Sequence, residues 1–309
     1  MLWVILALTG AVTNAGYFIV TKKMLQSINP YVLAAGSFLT PALFLLFISV
    51  RSGIPVTGDR FLFAVAITAG LNIIATILVY RALATTDISL AIPMLSFTPV
   101  FLMGTSFLLL HELPTRIGAL GILIIVSGSY VLNLSPGQKS IADPIRSIAQ
   151  HPGVLYMLVV ALIYAITVNF DKMVVMESDT VFGSAIVFVV IGSAFVIITL
   201  VSHVGICVPL GFKKDPPAVI VPNQESPGKR YRWMVVGFMF IGVLITIEAI
   251  VINYAYTLQI VPYIIAFKRM SIVLSVLTGA IVFHEPDLGR RLTGAVLMVL
   301  GAVLILVTL

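Results

Sequence analysis

Long apolar runs separated by short polar breaks set the plan of the chain. A helix needs about 20 such residues to cross a bilayer core. Runs of that kind fall near 2–21, 31–50, 61–81, 89–110 and 116–134, and again near 154–174, 181–203, 233–256, 260–283 and 290–308. No alternating ten-residue barrel pattern is present, and a helix satisfies its own backbone in lipid. The expectation is therefore an all-α integral membrane protein of ten transmembrane helices. The interval "SPGQKSIADPIRSIAQHPG" (135–153) has Pro and Gly at both ends and divides the spans five and five. The loop "GFKKDPPAVIVPNQESPGKRYR" (211–232) is rich in Pro and charge.

The two groups of five repeat one another. A shift of 173 lays "LLLHELPTRIGALGILIIVSGSYVL" (108–132) over "IVFHEPDLGRRLTGAVLMVLGAVLIL" (281–306), with His111-Glu112 on His284-Glu285, Gly121 on Gly294 and Gly128 on Gly301. The glycines of each pair are seven apart, two helical turns, so they share a face that admits a close helix neighbour. A shift of 150 puts Asn14, Tyr17 and Thr21 on Tyr164, Thr167 and Asp171, with Lys22 on Lys172. Agreement in register points to a duplication. Because each copy has five spans, the copies insert in opposite senses, which makes an inverted five-plus-five repeat around a midplane site.

The stretches "LSFTPVFLMGTSFLLLHE" followed by "GILIIVSG", and "FKRMSIVLSVLTGAIVFHEP" followed by "GAVLMVLG", resemble the EamA-type branch of the drug/metabolite transporter superfamily. The resemblance covers nearly the whole chain and divides it into a first five-helix repeat (1–134), a connector (135–153) and a second repeat (154–309). It implies a ten-helix carrier of small metabolites whose cavity is lined mainly by spans 1, 3, 4, 6, 8 and 9. In one departure, Pro99 of the first copy falls on Ile272 of the second, so the second helix is expected to be less kinked.

Charges inside the apolar runs carry the chemistry. Each of Lys268 and Arg269 costs roughly 2.5–3.5 kcal/mol at a bilayer centre on insertion scales. They lie about ten residues after the connector near Leu258, and Glu248 lies about ten before it, so on antiparallel helices all three sit roughly 15 Å deep. Leu244, Ile245, Ile241 and Ile252 surround Glu248 on its own helix face, so an ion pair with Lys268 or Arg269 is expected. One carboxylate against two cations leaves a positive charge, suited to an anionic substrate group; a structural ion pair with a snorkelling Arg is the alternative. Glu248 either releases its cation during transport or carries a coupled proton. Lys268 shares a face with Ser271, Ser275 and Gly279, and the first copy has Leu95 and Ser96 at the matching positions.

Neutral stripes extend the candidate site: Asn14, Tyr17 and Thr21 on span 1; Asn72, Thr76 and Tyr80 on span 3; Tyr164, Thr167 and Asp171 on span 6. Ser96 joins them as the counterpart of Arg269. Thr246 and Asn253, seven apart on span 8, read as a different face from Glu248. Helix-to-helix hydrogen bonding is the alternative role for each stripe. Pro93 and Pro99 free backbone carbonyls at membrane depth, tolerable where protein or a watery cavity covers them.

The composition narrows the function classes. Hydrophobic residues make up 60% of 309 and charged ones 10%, which suits a chain solvated by lipid in a cell membrane. The net charge of +6 comes from basic residues concentrated in connectors, which set orientation rather than bind nucleic acid. Leaving out Lys268 and Arg269, four of the 18 basic residues (Arg51, Arg60, Arg116, Lys172) lie on the side of the termini and twelve on the other. That count puts both termini outside, whereas the resemblance implies both inside. A start without a basic region, "MLWVILALTGAVTNAG", reads as a retained span rather than a cleaved signal. Cys207 is the one cysteine, so no internal disulfide and no multi-cysteine metal site is expected. Asn133-Leu134-Ser135 has the form of a glycosylation acceptor but abuts an apolar run. The "HE" pairs lack a second His at zinc-protease spacing, and no nucleophile-elbow or phosphate-loop pattern occurs, so neither an enzyme nor a cofactor is expected. Glu112 and Glu285 are expected to anchor turns and cap the next helix. Without an ATP-binding sequence, transport of a small-molecule substrate is gradient-driven or passive. A carrier of lipid-linked precursors and a non-transporting membrane subunit are the alternatives.

Overall fold

Helix is the form that the apolar runs take over the residues that the computed structural model describes, 1–25, 28–85, 92–132, 152–203, 227–270 and 288–308. The helices are α1 (Leu2–Leu25), α2 (Pro30–Ser52), α3 (Phe61–Thr85), α4 (Thr98–Leu110), α5 (Arg116–Leu132), α6 (Pro152–Met176), α7 (Thr180–His203), α8 (Pro227–Leu258), α9 (Val261–Lys268) and α10 (Leu288–Val307). A 3-10 turn, Ile92–Phe97, precedes α4. Helices α2, α6 and α8 open on proline, whose missing N–H is no loss in a first turn. Residues 227–232, expected in the long loop, are instead the first turns of α8.

Among the described residues, five helices are long and apolar enough to cross a membrane: Pro30–Ser52, Phe61–Ala82, Pro152–Met176, Thr180–Val201 and Arg232–Leu258. Shorter apolar stretches occupy Leu2–Tyr17, Met94–Leu110, Arg116–Leu132 and Leu292–Val307. The interval 133–151, residues 204–226, the stripe Ser271, Ser275 and Gly279, and His284-Glu285 lie outside the described residues.

Span 4 is interrupted, and in span 9 regular helix stops just before the end of the described residues. In span 4 the 3-10 turn gives way to α4 at Thr98, with Pro99 in the first helical turn, so the proline starts a helix rather than kinking one. In span 9 the regular helix ends at Lys268. Arg269 N is shared between the carbonyls of Ile265 and Ala266, each at 3.2 Å, and Met270 N tightens onto Phe267 O at 2.9 Å. Ile272, the counterpart of Pro99 on which the expectation of a straighter second helix rests, lies outside the described residues.

Helix packing is reciprocal between the first five helices and the last five. The most extensive contacts are α5 with α10, α2 with α7, α3 with α6 and α1 with α8, and α2–α8, α3–α7, α4–α6 and α1–α9 also pack. Replacing each helix by its counterpart five places along turns α1–α8 into α6–α3, α2–α8 into α7–α3 and α4–α6 into α9–α1. It returns α2–α7 and α5–α10 to themselves. The caps obey the same relation. Asn29 Oδ1 accepts Tyr31 N at 2.9 Å at the start of α2, and Asp179 Oδ1 accepts Val181 N and Phe182 N at 2.7 and 2.6 Å at the start of α7.

The repeated glycines meet each other. A Cβ on Gly121 would stand 2.7 Å from Gly301 O and one on Gly301 2.5 Å from Gly121 O; Gly128 and Gly294 are related in the same way, at 2.6 and 2.7 Å. Helices α5 and α10 therefore run antiparallel with their backbones in contact at both crossings. Their other faces carry Leu120, Val296 and Val303, each about half exposed, as expected of surface covered by lipid. Elsewhere polar side chains bind helix to helix. Buried Asn169 on α6 accepts from Ser106 Oγ at 2.6 Å and donates to Thr105 Oγ1 at 3.1 Å, both on α4.

Gly121→Ala and Gly301→Ala should each destabilise the protein by about 1–3 kcal/mol through overpacking. Gly70→Ala, where nothing lies within 4 Å, should not. Thermal unfolding in detergent checks this: Tm should fall by several degrees in the first two variants and stay level in the third.

Candidate functional site

Ten residues separate Glu248 from the end of α8 at Leu258, and the same interval carries the chain from there to Lys268 at the end of α9, so the two side chains meet at one depth. Lys268 Nζ lies 2.5 Å from Glu248 Oε1. Asn14 Nδ2 on α1 donates to both oxygens of the same carboxylate, at 3.0 and 3.3 Å. Neighbouring Arg269 takes another route: its Nη2 donates to Thr98 Oγ1 at 3.0 Å, and that hydroxyl donates to Leu95 O at 2.7 Å. Arg269 Nε is buried and has no hydrogen-bond partner among the described residues.

These groups face a cavity of about 260 Å³. Of the residues singled out in the sequence, Asn14, Tyr17, Asn72, Thr76, Tyr164, Thr167, Glu248, Lys268 and Arg269 line it. Two do not. Ser96 is buried and exchanges a hydrogen bond with Ser129 Oγ at 2.8 Å, tying the 3-10 turn to α5. Tyr80 is buried outside the lining. Each four-residue step advances about 40° round a helix, so Tyr80 is turned roughly 80° from Asn72 and leaves the cavity face.

Asp171 changes the charge balance. It lines the same cavity and accepts from Thr68 Oγ1 at 2.5 Å. Asn72 Nδ2 donates to Thr68 O at 3.0 Å, and Thr76 Oγ1 to Asn72 O at 2.8 Å, so the span 3 stripe is a ladder ending on the Asp171 carboxylate. With Asp171 present, two carboxylates face two cations. The positive excess expected from Glu248 alone counts only one of the two carboxyl groups on the cavity wall.

Asn253 also departs from expectation. It lines the cavity with Ile245, Glu248, Ala249, Ile252 and Tyr256, and its Nδ2 donates to Ser184 Oγ on α7 at 2.6 Å. The cavity wraps far enough round α8 to include it. Thr246, its partner on the helical wheel, faces a shallow apolar groove with Phe44 and Phe47. Contributions from α2 (Phe38) and α7 (Ser184, Val187, Phe188, Ile191) widen the lining beyond the six spans that the resemblance implied.

One end of the bundle is sealed by polar contacts between the halves. His111 ends α4 in the left-handed region (φ 55°), a conformation histidine tolerates better than most residues, and the turn presents Glu112. Glu112 does not cap α5; Thr115 does, accepting Gly118 N at 3.0 Å. Instead Glu112 Oε2 accepts Val261 N at 2.9 Å, capping α9 of the other half, and its Oε1 pairs with Lys172 Nζ at 2.5 Å. Lys172 also reaches Gln259 O at 3.3 Å, and Tyr263 OH accepts from Thr115 N at 3.1 Å. Between the connectors 53–60 and 177–179, Gly58 N donates to Glu177 O at 2.7 Å.

Apolar spans around a charged internal cavity define a multi-pass membrane protein. Residues 1–134, which hold the first of the two stretches that carry the resemblance, match the EamA-like transporter family, consistent with the drug/metabolite transporter superfamily. A solved structure named only "Crystal structure of protein" shares the fold with a TM-score of 0.72 at 14% identity, covering 99% of this chain and 96% of its own. None of the curated proteins matches the chain in sequence.

Glu248→Gln leaves Lys268 without its counter-charge, and Lys268→Met leaves Glu248 without its own. Each should lower stability, and the double variant should lose less than the sum by about 0.5–3 kcal/mol, the coupling of groups in contact. Unfolding of the four proteins in detergent measures this, and simple additivity would contradict the pair.

Proposed function

We propose that the protein is a carrier of small polar metabolites, working by alternating access about this cavity, with ten spans arranged as an inverted repeat of residues 1–134 and 154–309 joined by 135–153. The self-consistent exchange of helix contacts, the matched caps of α2 and α7 and the reciprocal glycine pairs support that architecture. The sealed end supports a state closed on the side of the connectors 53–60, 111–115, 177–179 and 259–260.

The substrate class follows from the charges. The observation that carries the reading is the buried guanidinium N–H of Arg269, which lacks a partner among the described residues although it lies in the cavity wall. A buried donor of this kind calls for an acceptor, and a carboxylate supplies one. Lys268, held by Glu248, adds a second cation that can turn to the same group. Asp171 and Glu248 give the cavity equal negative charge, which favours an amino-acid-like zwitterion over a purely anionic solute. Asn14, Tyr17, Asn72, Thr76, Tyr164 and Thr167 supply neutral hydrogen bonds around it. A gradient or simple exchange drives the movement.

Solid-supported-membrane currents from proteoliposomes test this. Amino acids, organic acids and phosphorylated metabolites are applied to wild type and to Lys268→Met. The expected result is a response to amino acids that falls at least about tenfold in the variant, the scale of one lost charge-assisted hydrogen bond. An equal response from a well-folded Lys268→Met would refute a substrate role for the pair.

A further inference from the structure

The cavity has an apolar part that the charged groups leave unexplained. Its lining from α2 and α7 is Phe38, Val187, Phe188 and Ile191, together with Ser184, whose hydroxyl is already engaged by Thr180 O at 2.6 Å and by Asn253. Phe38 and Phe188 are repeat equivalents: each stands nine residues beyond its helix cap (29 to 38, 179 to 188). Caps at opposite ends of an inverted pair put both rings roughly 14 Å in from either side, at the midplane. There the rings touch, with centroids 5.8 Å apart and planes at 55°.

The wall behind them is firm. Phe38 stacks on Phe195 with centroids 6.3 Å apart and planes 8° from parallel. Helices α2 and α7 are also in close contact one turn further on, where a Cβ on Gly192 would come within 2.7 Å of Leu39. The pair cannot retreat between the helices, yet both rings are only half-buried and present the remainder to the cavity. Apolar surface facing a cavity lined elsewhere by charges is better covered by an apolar group than by water.

We propose that Phe38 and Phe188 form an apolar subsite for the side group of the substrate, so that the carried solute is a zwitterion with an aliphatic or aromatic side group. The proposal rests on the charged-end reading given above. Because the two rings are related by the repeat, exchanging inward-open and outward-open states swaps their roles, and the side group keeps an equivalent contact throughout the cycle.

Currents from glycine, alanine, valine, leucine and phenylalanine are recorded for wild type, Phe38→Ala, Phe188→Ala and the conservative Phe188→Leu, all first matched for thermal stability. In wild type the apparent affinity should rise along the aliphatic series by roughly threefold per added methylene. Both alanine variants should flatten that rise, and Phe188→Leu should keep most of it. Wild-type affinity independent of side-group size, or alanine variants with the wild-type slope, would overturn the subsite while sparing the charged-end reading. No response to any amino acid would overturn both.

Discussion

Two adjacent cations in the middle of an apolar chain are the constraint on which the rest of the structure turns. Burying a charge is tolerable when it is paired and hydrogen-bonded, and a lone partner removed from such a pair is costly. Lys268 meets this demand through Glu248, which Asn14 fixes from a third helix. Arg269 meets it in part, by a hydroxyl on the first turn of α4, and its Nε is left without a partner among the described residues. Both solutions require α1, α4, α8 and α9 to converge on one depth, so satisfying the charges also assembles the cavity.

The fold supplies that convergence through self-complementary pairing. Gly121 against Gly301 and Gly128 against Gly294 hold α5 to α10, and α2 holds α7 through matched surfaces. Within this symmetric frame the ionisable groups break the symmetry. The second copy has Lys268 and Arg269 where the first has Leu95 and Ser96, and Ser96 turns to Ser129 instead of the cavity. The helix contacts are thus reciprocal among the described residues, whereas Lys268 and Arg269 have no charged counterpart at the matching positions.

Local and periodic features were legible in the sequence. Helix order, the glycine faces and the depth match between Glu248 and Lys268 depend on spacing along one element or across one short connector. Contacts between distant elements were not. Nothing near Glu112 signals that its carboxylate caps α9 about 150 residues on, because the turn at His111, not the local pattern, aims it. Asp171 was visible as part of a stripe, but its place in the charge balance depends on α6 facing the same cavity as α9. Phe38 and Phe188 look like ordinary core residues in any apolar helix, and only their meeting across the repeat sets them apart. Asn253 was misassigned because a helical wheel gives the angle of a residue but not how far a cavity extends round the helix.

The central claim is that two cations and two carboxylates make one site for a solute bearing both charges. Binding to purified wild-type protein, measured by calorimetry, tests it most directly with leucine, its 2-hydroxy acid analogue lacking the amine, and its amine analogue lacking the carboxylate. The account predicts that leucine binds and that removing either charge weakens binding at least about tenfold, since each removal strips a charge-assisted hydrogen bond and leaves a buried protein charge facing nothing. Equal binding of either singly charged analogue would contradict it.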